Sequence, residues 1–228
     1  MSVAHEKKLA AEAAAQLVED GMIVGLGTGS TVAYLLAALA VRGLDLRCVA
    51  TSPATEHLAR DLGIKVEPFR GAMALARLDV AIDGADQVAP SGWLVKGGGA
   101  AHTREKAVAA AAERFIVIVS SDKLVERLAP PVPLELLEFG LAATLNRLGT
   151  ARLRDVPISP EGGAIADYTG AFEDPAQLAA QLSATVGVVE HGLFPPALVS
   201  DVLVARGLAV ERIPVAPPET AQRGLPHD

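Results

Sequence analysis

The chain has 228 residues, half of them hydrophobic, 4% aromatic and rich in alanine, which suits a helix-covered α/β core and disfavours an all-β sandwich. Its net charge of −7, with no Lys/Arg stripe, argues against a nucleic-acid surface, although local N–H groups and one lysine can still bind a phosphate. The single cysteine, Cys48, excludes a disulfide framework within the chain and reads as a buried strand thiol.

Residues 4–19 have the periodicity of an amphipathic helix, with Leu9, Ala13 and Leu17 on one face and Gly21 as its stop. This segment is charged and helical, so no secretory leader is expected. Residues 22–24 form a short buried strand that runs into Gly25-Leu26-Gly27-Thr28-Gly29-Ser30-Thr31. A helix follows, capped by Ser30 or Thr31 and continuing to Val41. Strands are expected at 46–51, 64–67 and 78–82, with a helix from Pro53 to near Gly63 between the first two. The strand at 78–82 ends on Asp83-Gly84-Ala85-Asp86, and a brief strand at 93–95 feeds Lys96-Gly97-Gly98-Gly99. A helix over 101–114 and a clean apolar strand at 115–119 complete this half. The alternation implies a mostly parallel sheet wound on both faces, with the motifs at the carboxyl ends of strands.

The pattern changes after Pro130-Pro131-Val132-Pro133. A helix over 134–148 precedes short strands at 151–156, 164–168, 187–190 and 199–204, with a helical stretch near 175–182. The expected organisation is a Rossmann-like catalytic domain (1–130), a smaller α+β subdomain of antiparallel strands (131–213) and a loose tail (214–228). The longest apolar runs are broken by Gly, Asp or Arg, so no membrane span is expected, and a reducing cytoplasm is the expected compartment.

The first glycine loop reads G-x-G-x-G, not G-x-G-x-x-G, and no acidic residue ends the second strand where a ribose contact would be expected. It gathers instead the hydroxyls of Thr28, Ser30 and Thr31 beside backbone N–H groups, a set of donors for phosphate or sugar oxygens. A plain tight turn with a capped helix is the bland reading. Asp83 and Asp86 are three apart, a spacing that brings both carboxylates to one side and can split their pKa values. Helix capping by Asp83 is the alternative. Three glycines after Lys96 sacrifice helix and strand propensity, so the backbone there is expected to approach a ligand closely. Glu105, in the first turns of the next helix, reads either as a cap or as a general base facing the same crevice. Lys123 follows the strand at 115–119 and is the natural cation for a substrate anion, unless it is a solvated surface lysine. His57, His102 and His191 lack metal-ligand spacing, so no metal site is expected. Residues 190–194 read as a turn that packs the subdomain.

With these motifs together, the chain resembles the A-type ribose-5-phosphate isomerases from its first helix to residues 188–194. The resemblance is most specific across 25–31, 83–86 and 96–106. It implies interconversion of ribose 5-phosphate and ribulose 5-phosphate without a cofactor, in the non-oxidative pentose phosphate pathway. It implies that Thr28, Gly29, Ser30, Thr31, Asp83, Gly84, Ala85, Asp86, Lys96, Gly97, Gly98, Gly99 and Lys123 surround the substrate. It further implies that Glu105 accepts the proton, with Lys96 as stabiliser and Asp83 assisting ring opening, in a cytoplasmic homodimer or homotetramer. Departures from the family pattern are Gln87, His102, Ser120-Ser121-Asp122 and Ser159-Pro160-Glu161-Gly162-Gly163. A non-catalytic sugar-phosphate sensor, or an amino-sugar-phosphate deaminase or lactonase, is the alternative.

Overall fold

In chain order the first half runs α1 (Val3–Ala15), β1 (Ile23–Leu26), α2 (Ser30–Arg42), β2 (Arg47–Ala50), α3 (Pro53–Asp61), β3 (Leu78–Asp83), β4 (Gln87–Val88), β5 (Leu94–Val95), α4 (His102–Ala111) and β6 (Ala112–Ser120). The second half adds β7 (Val132–Leu136), α5 (Leu141–Leu148), β8 (Ala151–Leu153), β9 (Ala164–Tyr168), α6 (Pro175–Ser183), β10 (Val188–His191), β11 (Leu193–Phe194), β12 (Asp201–Arg206) and β13 (Ala209–Pro214). These elements come from a computed structural model that describes residues 2–215; beyond Val215 the expected tail lies outside the described residues.

The main sheet has the order β13-β12-β6-β3-β1-β2. All its neighbours are parallel except the hairpin of β12 and β13. The central strands are apolar on both faces, as helix-covered parallel strands must be. In β6, Ile116 and Ile118 face the core built with Leu26, Leu35, Leu39 and Ile82. Phe115, Val117 and Val119 face the opposite core with Val49, Val108 and Val202. Helices α1 and α2 cover the first face, and α4 contributes Val108 and Ala109 to the second. Ala10, Ala11, Ala14 and Ala15 are the buried stripe of α1, small enough for a close approach to the sheet.

The smaller sheet is antiparallel, with the order β10-β7-β9-β8, and a third sheet, β11-β5-β4, joins the two halves. Three expectations change. The strand foreseen at 64–67 reduces to a single bridge between Cys48 and Val66. The helix foreseen over 134–148 divides into β7 and α5, with Gly140 in the left-handed region between them. Leu134 and Leu136 enter one core while Glu135 turns to the other face, an alternation that fits a strand. The strand foreseen at 199–204 within the smaller subdomain is β12, which pairs with β6 in the main sheet. Val202 to Ala205 are buried on both faces, so their pattern specified a buried strand without specifying its neighbour.

Candidate active site

The loops after β1, β3, β5 and β6 converge at the carboxyl edge of the main sheet, where open α/β sheets hold ligands. The turn after β1 folds directly against the end of β3. A Cβ at Gly27 would overlap the Asp83 carboxylate, so only glycine permits this approach. Asp83 Oδ1 then accepts the N–H groups of Thr28 at 3.0 Å and Gly84 at 2.7 Å. Thr28 Oγ1 pairs with Thr51 Oγ1 at 2.7 Å, which ties the loop to the end of β2.

Lys96 is the hub of the site. Its Nζ lies 2.9 Å from Asp83 Oδ2 and 3.1 Å from Glu105 Oε2, and donates to Gly84 O at 2.6 Å. The two carboxylate oxygens meet the ammonium as ion pairs without well-angled hydrogen bonds. All three side chains are at most 4% exposed. Burial pushes Lys96 down, but the two carboxylates outweigh it and hold the ammonium above its ordinary range. One cation cannot fully compensate two buried carboxylates. Burial, opposed by Lys96 and reinforced by Asp83, pushes Glu105 up to about 7. A group so poised can take and return a proton near neutral pH.

The opposite end of the cleft is cationic and rich in donors. Gly29 starts α2 at φ 109 with no side-chain cap, which leaves the helix N–H groups open. Ser30 and Thr31 line the cleft, and Lys7 Nζ donates to Ser30 Oγ at 3.0 Å. Lys123 lines the same end, 3.5 Å from Asp122. Glu6, next to Lys7, ties α1 to this end by accepting from Ser121 N at 2.9 Å, Ser121 Oγ at 2.8 Å and Gly207 N at 2.9 Å.

Between the two ends lie Gly84, Ala85 and Asp86 on one side and Gly97, Gly98 and Gly99 on the other, enclosing about 160 Å³. Every residue expected around the substrate lines this cleft, apart from Asp83, which sits beneath it on Lys96. The foreseen carboxylate pairing changes. Asp86 is exposed and accepts Gly98 N–H at 2.7 Å, while Asp83 shares Lys96 with Glu105. Spacing within one turn suggested the first pair; the second joins residues of separate elements that only the fold brings together. Among the described residues no group of three or more His, Cys, Asp or Glu side chains is placed to hold a metal ion.

Sequence reasoning missed Lys7, which one helical turn of α1 delivers to a loop 23 residues away. It also read residues 190–194 as a simple packing turn. Phe194 instead underlies the site, with Lys96 Nζ 5.4 Å and Lys106 Nζ 5.0 Å from its ring centre. Lys106 donates to Glu190 Oε1 and His191 O, both at 2.6 Å. The departures from the family pattern lie around the cleft. Gln87 exchanges two 2.8 Å hydrogen bonds with Ala129, and Ser120 bonds Asp122. Buried His102 packs on Gly97, and burial with Lys106 nearby lowers it to about 4. Ser159 bonds the buried carboxylate of Glu135, as does Thr103 of α4.

A family model described as ribose 5-phosphate isomerase A (phosphoriboisomerase A) matches residues 47–207. Proteins named ribose-5-phosphate isomerase A from Caulobacter sp. (strain K31) and Halobacterium salinarum are 44% and 46% identical. Those matches cover 85% and 84% of this chain and 91% and 88% of the relatives. The crystal structure of ribose 5-phosphate isomerase A from Neisseria gonorrhoeae superposes with a TM-score of 0.88 at 29% identity, covering 94% of this chain and 98% of that one. A D-ribose-5-phosphate isomerase in complex with phospho-erythronic acid gives 0.86 at 34% identity, covering 94% of this chain and 100% of that one.

Proposed function

The chain belongs to the ribose 5-phosphate isomerase A family, and from that premise we propose how its own residues interconvert ribose 5-phosphate and ribulose 5-phosphate. The enzyme is an aldose–ketose isomerase, and the sensor, deaminase and lactonase alternatives are not favoured. Its residue roles rest on one observation above all: the buried Asp83–Lys96–Glu105 cluster at the floor of a cleft whose far end carries Lys7 and Lys123.

The phosphate sits between Lys7, Lys123, Ser30, Thr31 and the open start of α2, where charge-assisted hydrogen bonds are available. C1 and C2 then lie toward Lys96 and Glu105. Asp83 assists opening of the furanose from beneath the cleft, by holding Lys96 toward the sugar oxygens. Glu105 removes the C2 proton, and the C–H electrons form the C1=C2 bond of an enediolate as charge moves onto O1. Lys96 and the glycine N–H groups stabilise that oxyanion. Glu105 returns the proton to C1 while the O2 proton passes to O1, leaving the 2-ketose. Asp86 orients the glycine loop through Gly98 N–H, and Gly84 and Ala85 complete the wall.

The reaction fits a cytoplasmic enzyme of the non-oxidative pentose phosphate pathway. Among the described residues no helix is long and apolar enough to cross a membrane. A homodimer or homotetramer is supported by exposed Leu137, Phe139, Val186 and Val189, which gather where Leu137 N–H meets Gly187 O. The deciding assay follows ribulose 5-phosphate formation from ribose 5-phosphate by the purified chain with excess chelator. Turnover is expected to persist; loss in chelator, restored by a divalent ion, overturns the cofactor-free reading.

A further inference from the structure

The glycine loop after Lys96 is open on both faces. Gly98 and Gly99 line the substrate cleft on one side and a cavity of about 500 Å³ on the other. The loop also carries Ala100 at φ 60, the sole non-glycine residue at positive φ among the described residues. Such a conformation persists only where its surroundings enforce it. His102 packs on Gly97, but open space behind Gly98 and Gly99 leaves hydrogen bonds to restrain that part of the loop.

Arg154 supplies them. Its Nη1 donates to Gly97 O at 2.9 Å and to Gly98 O at 3.2 Å. Its Nε and Nη2 grip Asp167 at 2.8 and 2.6 Å. Arg154 directly follows β8 and Asp167 lies in the adjacent β9, so the brace stands on the smaller antiparallel sheet. A guanidinium fork suits this task because it holds a carboxylate and two carbonyls in fixed directions at once.

The planar trans peptide links this grip to the cleft, since C=O and N–H point oppositely across each peptide unit. The peptide joining Gly97 to Gly98 displays this polarity: its oxygen faces Arg154, and its N–H reaches Asp86 Oδ2 on the cleft wall at 2.7 Å. The next peptide also turns its oxygen to Arg154, so the N–H of Gly99 points away from the guanidinium. Among the described residues that N–H meets no protein acceptor.

We propose that Arg154 is a positioning residue for the isomerisation: it aims the Gly99 N–H at the enediolate oxygen and, by its charge, polarises that peptide. The assignment rests on the reading of the cleft given above. It makes the smaller sheet a participant in catalysis through the backbone of the first domain.

The test compares Arg154→Ala, Arg154→Lys and Asp167→Asn in the full chain. The readouts are kcat, KM, Tm and inhibition by inorganic phosphate and by phospho-erythronic acid, whose carboxylate stands in for the enediolate oxygens. Arg154→Ala is expected to lower kcat and weaken phospho-erythronic acid by about tenfold or more, the scale of a misaligned oxyanion donor. Phosphate inhibition should stay within about twofold, because the cationic end of the cleft is untouched. Arg154→Lys keeps the charge without the fork and should fall between Ala and parent, as should Asp167→Asn, which leaves the guanidinium less firmly held. Parental kcat and parental phospho-erythronic acid inhibition in Arg154→Ala, with only Tm lowered, overturn the proposal. Should that variant fail to fold, parental values in Arg154→Lys overturn it equally. Failure of the cleft reading is recognised separately, by unchanged phosphate inhibition in Lys123→Ala or parental turnover in Glu105→Gln.

Discussion

Lys96 Nζ stands 3.1 Å from Glu105 Oε2 while also serving Asp83 at 2.9 Å, so one buried cation is shared between two buried carboxylates. The pairing of Lys96 with Asp83 is neutral by itself. Ionising Glu105 then adds a charge that burial disfavours and that a shared lysine only partly offsets. The deficit tunes the group proposed to exchange a proton with carbon.

Replacing Glu105 with Gln keeps the size of the side chain but removes its ability to accept a proton. Turnover should fall by at least ~100-fold, the low end for loss of a general base, with a much smaller change in KM. Steady-state kinetics beside a thermal melt test this. Near-parental turnover would move the base elsewhere, with Asp83 the next candidate.

The pH dependence follows from the same burial. As the proposed base, Glu105 has to be ionised in the free enzyme, so kcat/KM should rise with pH and level off above about 7. Stability should run the other way. The folded chain holds this proton more tightly than the unfolded chain, so the contribution is full below the ordinary carboxylate value of 4.5 and is lost as pH rises through about 7. Melting curves between pH 5 and 8 should therefore show the parent losing ground to Glu105→Gln as pH increases. A flat difference would argue against the raised pKa.

The main sheet was legible because β1, β3 and β6 are apolar runs closed by glycine or polar residues, and the motifs at 25–31 and 83–86 follow two of them, while the Lys96 glycines follow the brief β5. Most of the cleft was legible for the same reason: Ser30, Lys96 and Glu105 stand at fixed offsets from strand ends. What was not legible depends on neighbours distant in sequence. Glu105 reaches Asp83 only because α4 folds back across the edge of β3, and Lys7 reaches Ser30 only because α1 lies against α2. Leu134-Glu135-Leu136 is too short to separate strand from helix by period alone, and its partners β9 and β10 come later in the chain. A buried strand such as β12 declares its burial without declaring which sheet it joins.

At the cationic end, Lys7→Ala and Lys123→Ala should each raise KM for ribose 5-phosphate by about tenfold, the scale of one charge-assisted hydrogen bond, with kcat little changed. Both effects should shrink as ionic strength rises, because the cleft is open and its charges are screened. The double variant should fall short of additivity if both lysines meet one phosphate. Parental KM in both variants at low salt would remove the phosphate from this end.

Lys96→Met separates the structural from the catalytic share of the hub. The methionine fills a similar volume but leaves Asp83 and Glu105 buried without a cation, a change that typically costs about 3–5 kcal/mol. Tm should drop accordingly at neutral pH. Part of the loss should return on acidification, as Glu105 takes up a proton and ceases to be a buried anion. Glu105 without its lysine should titrate at still higher pH, so any residual kcat/KM should peak at more alkaline pH than in the parent. Turnover should fall further than the stability loss explains, since the enediolate also loses its nearest cation. Thermal melts and pH–rate profiles of the purified variant decide the matter. A variant as stable as the parent, with an unshifted profile, would mean that the ion cluster carries neither role.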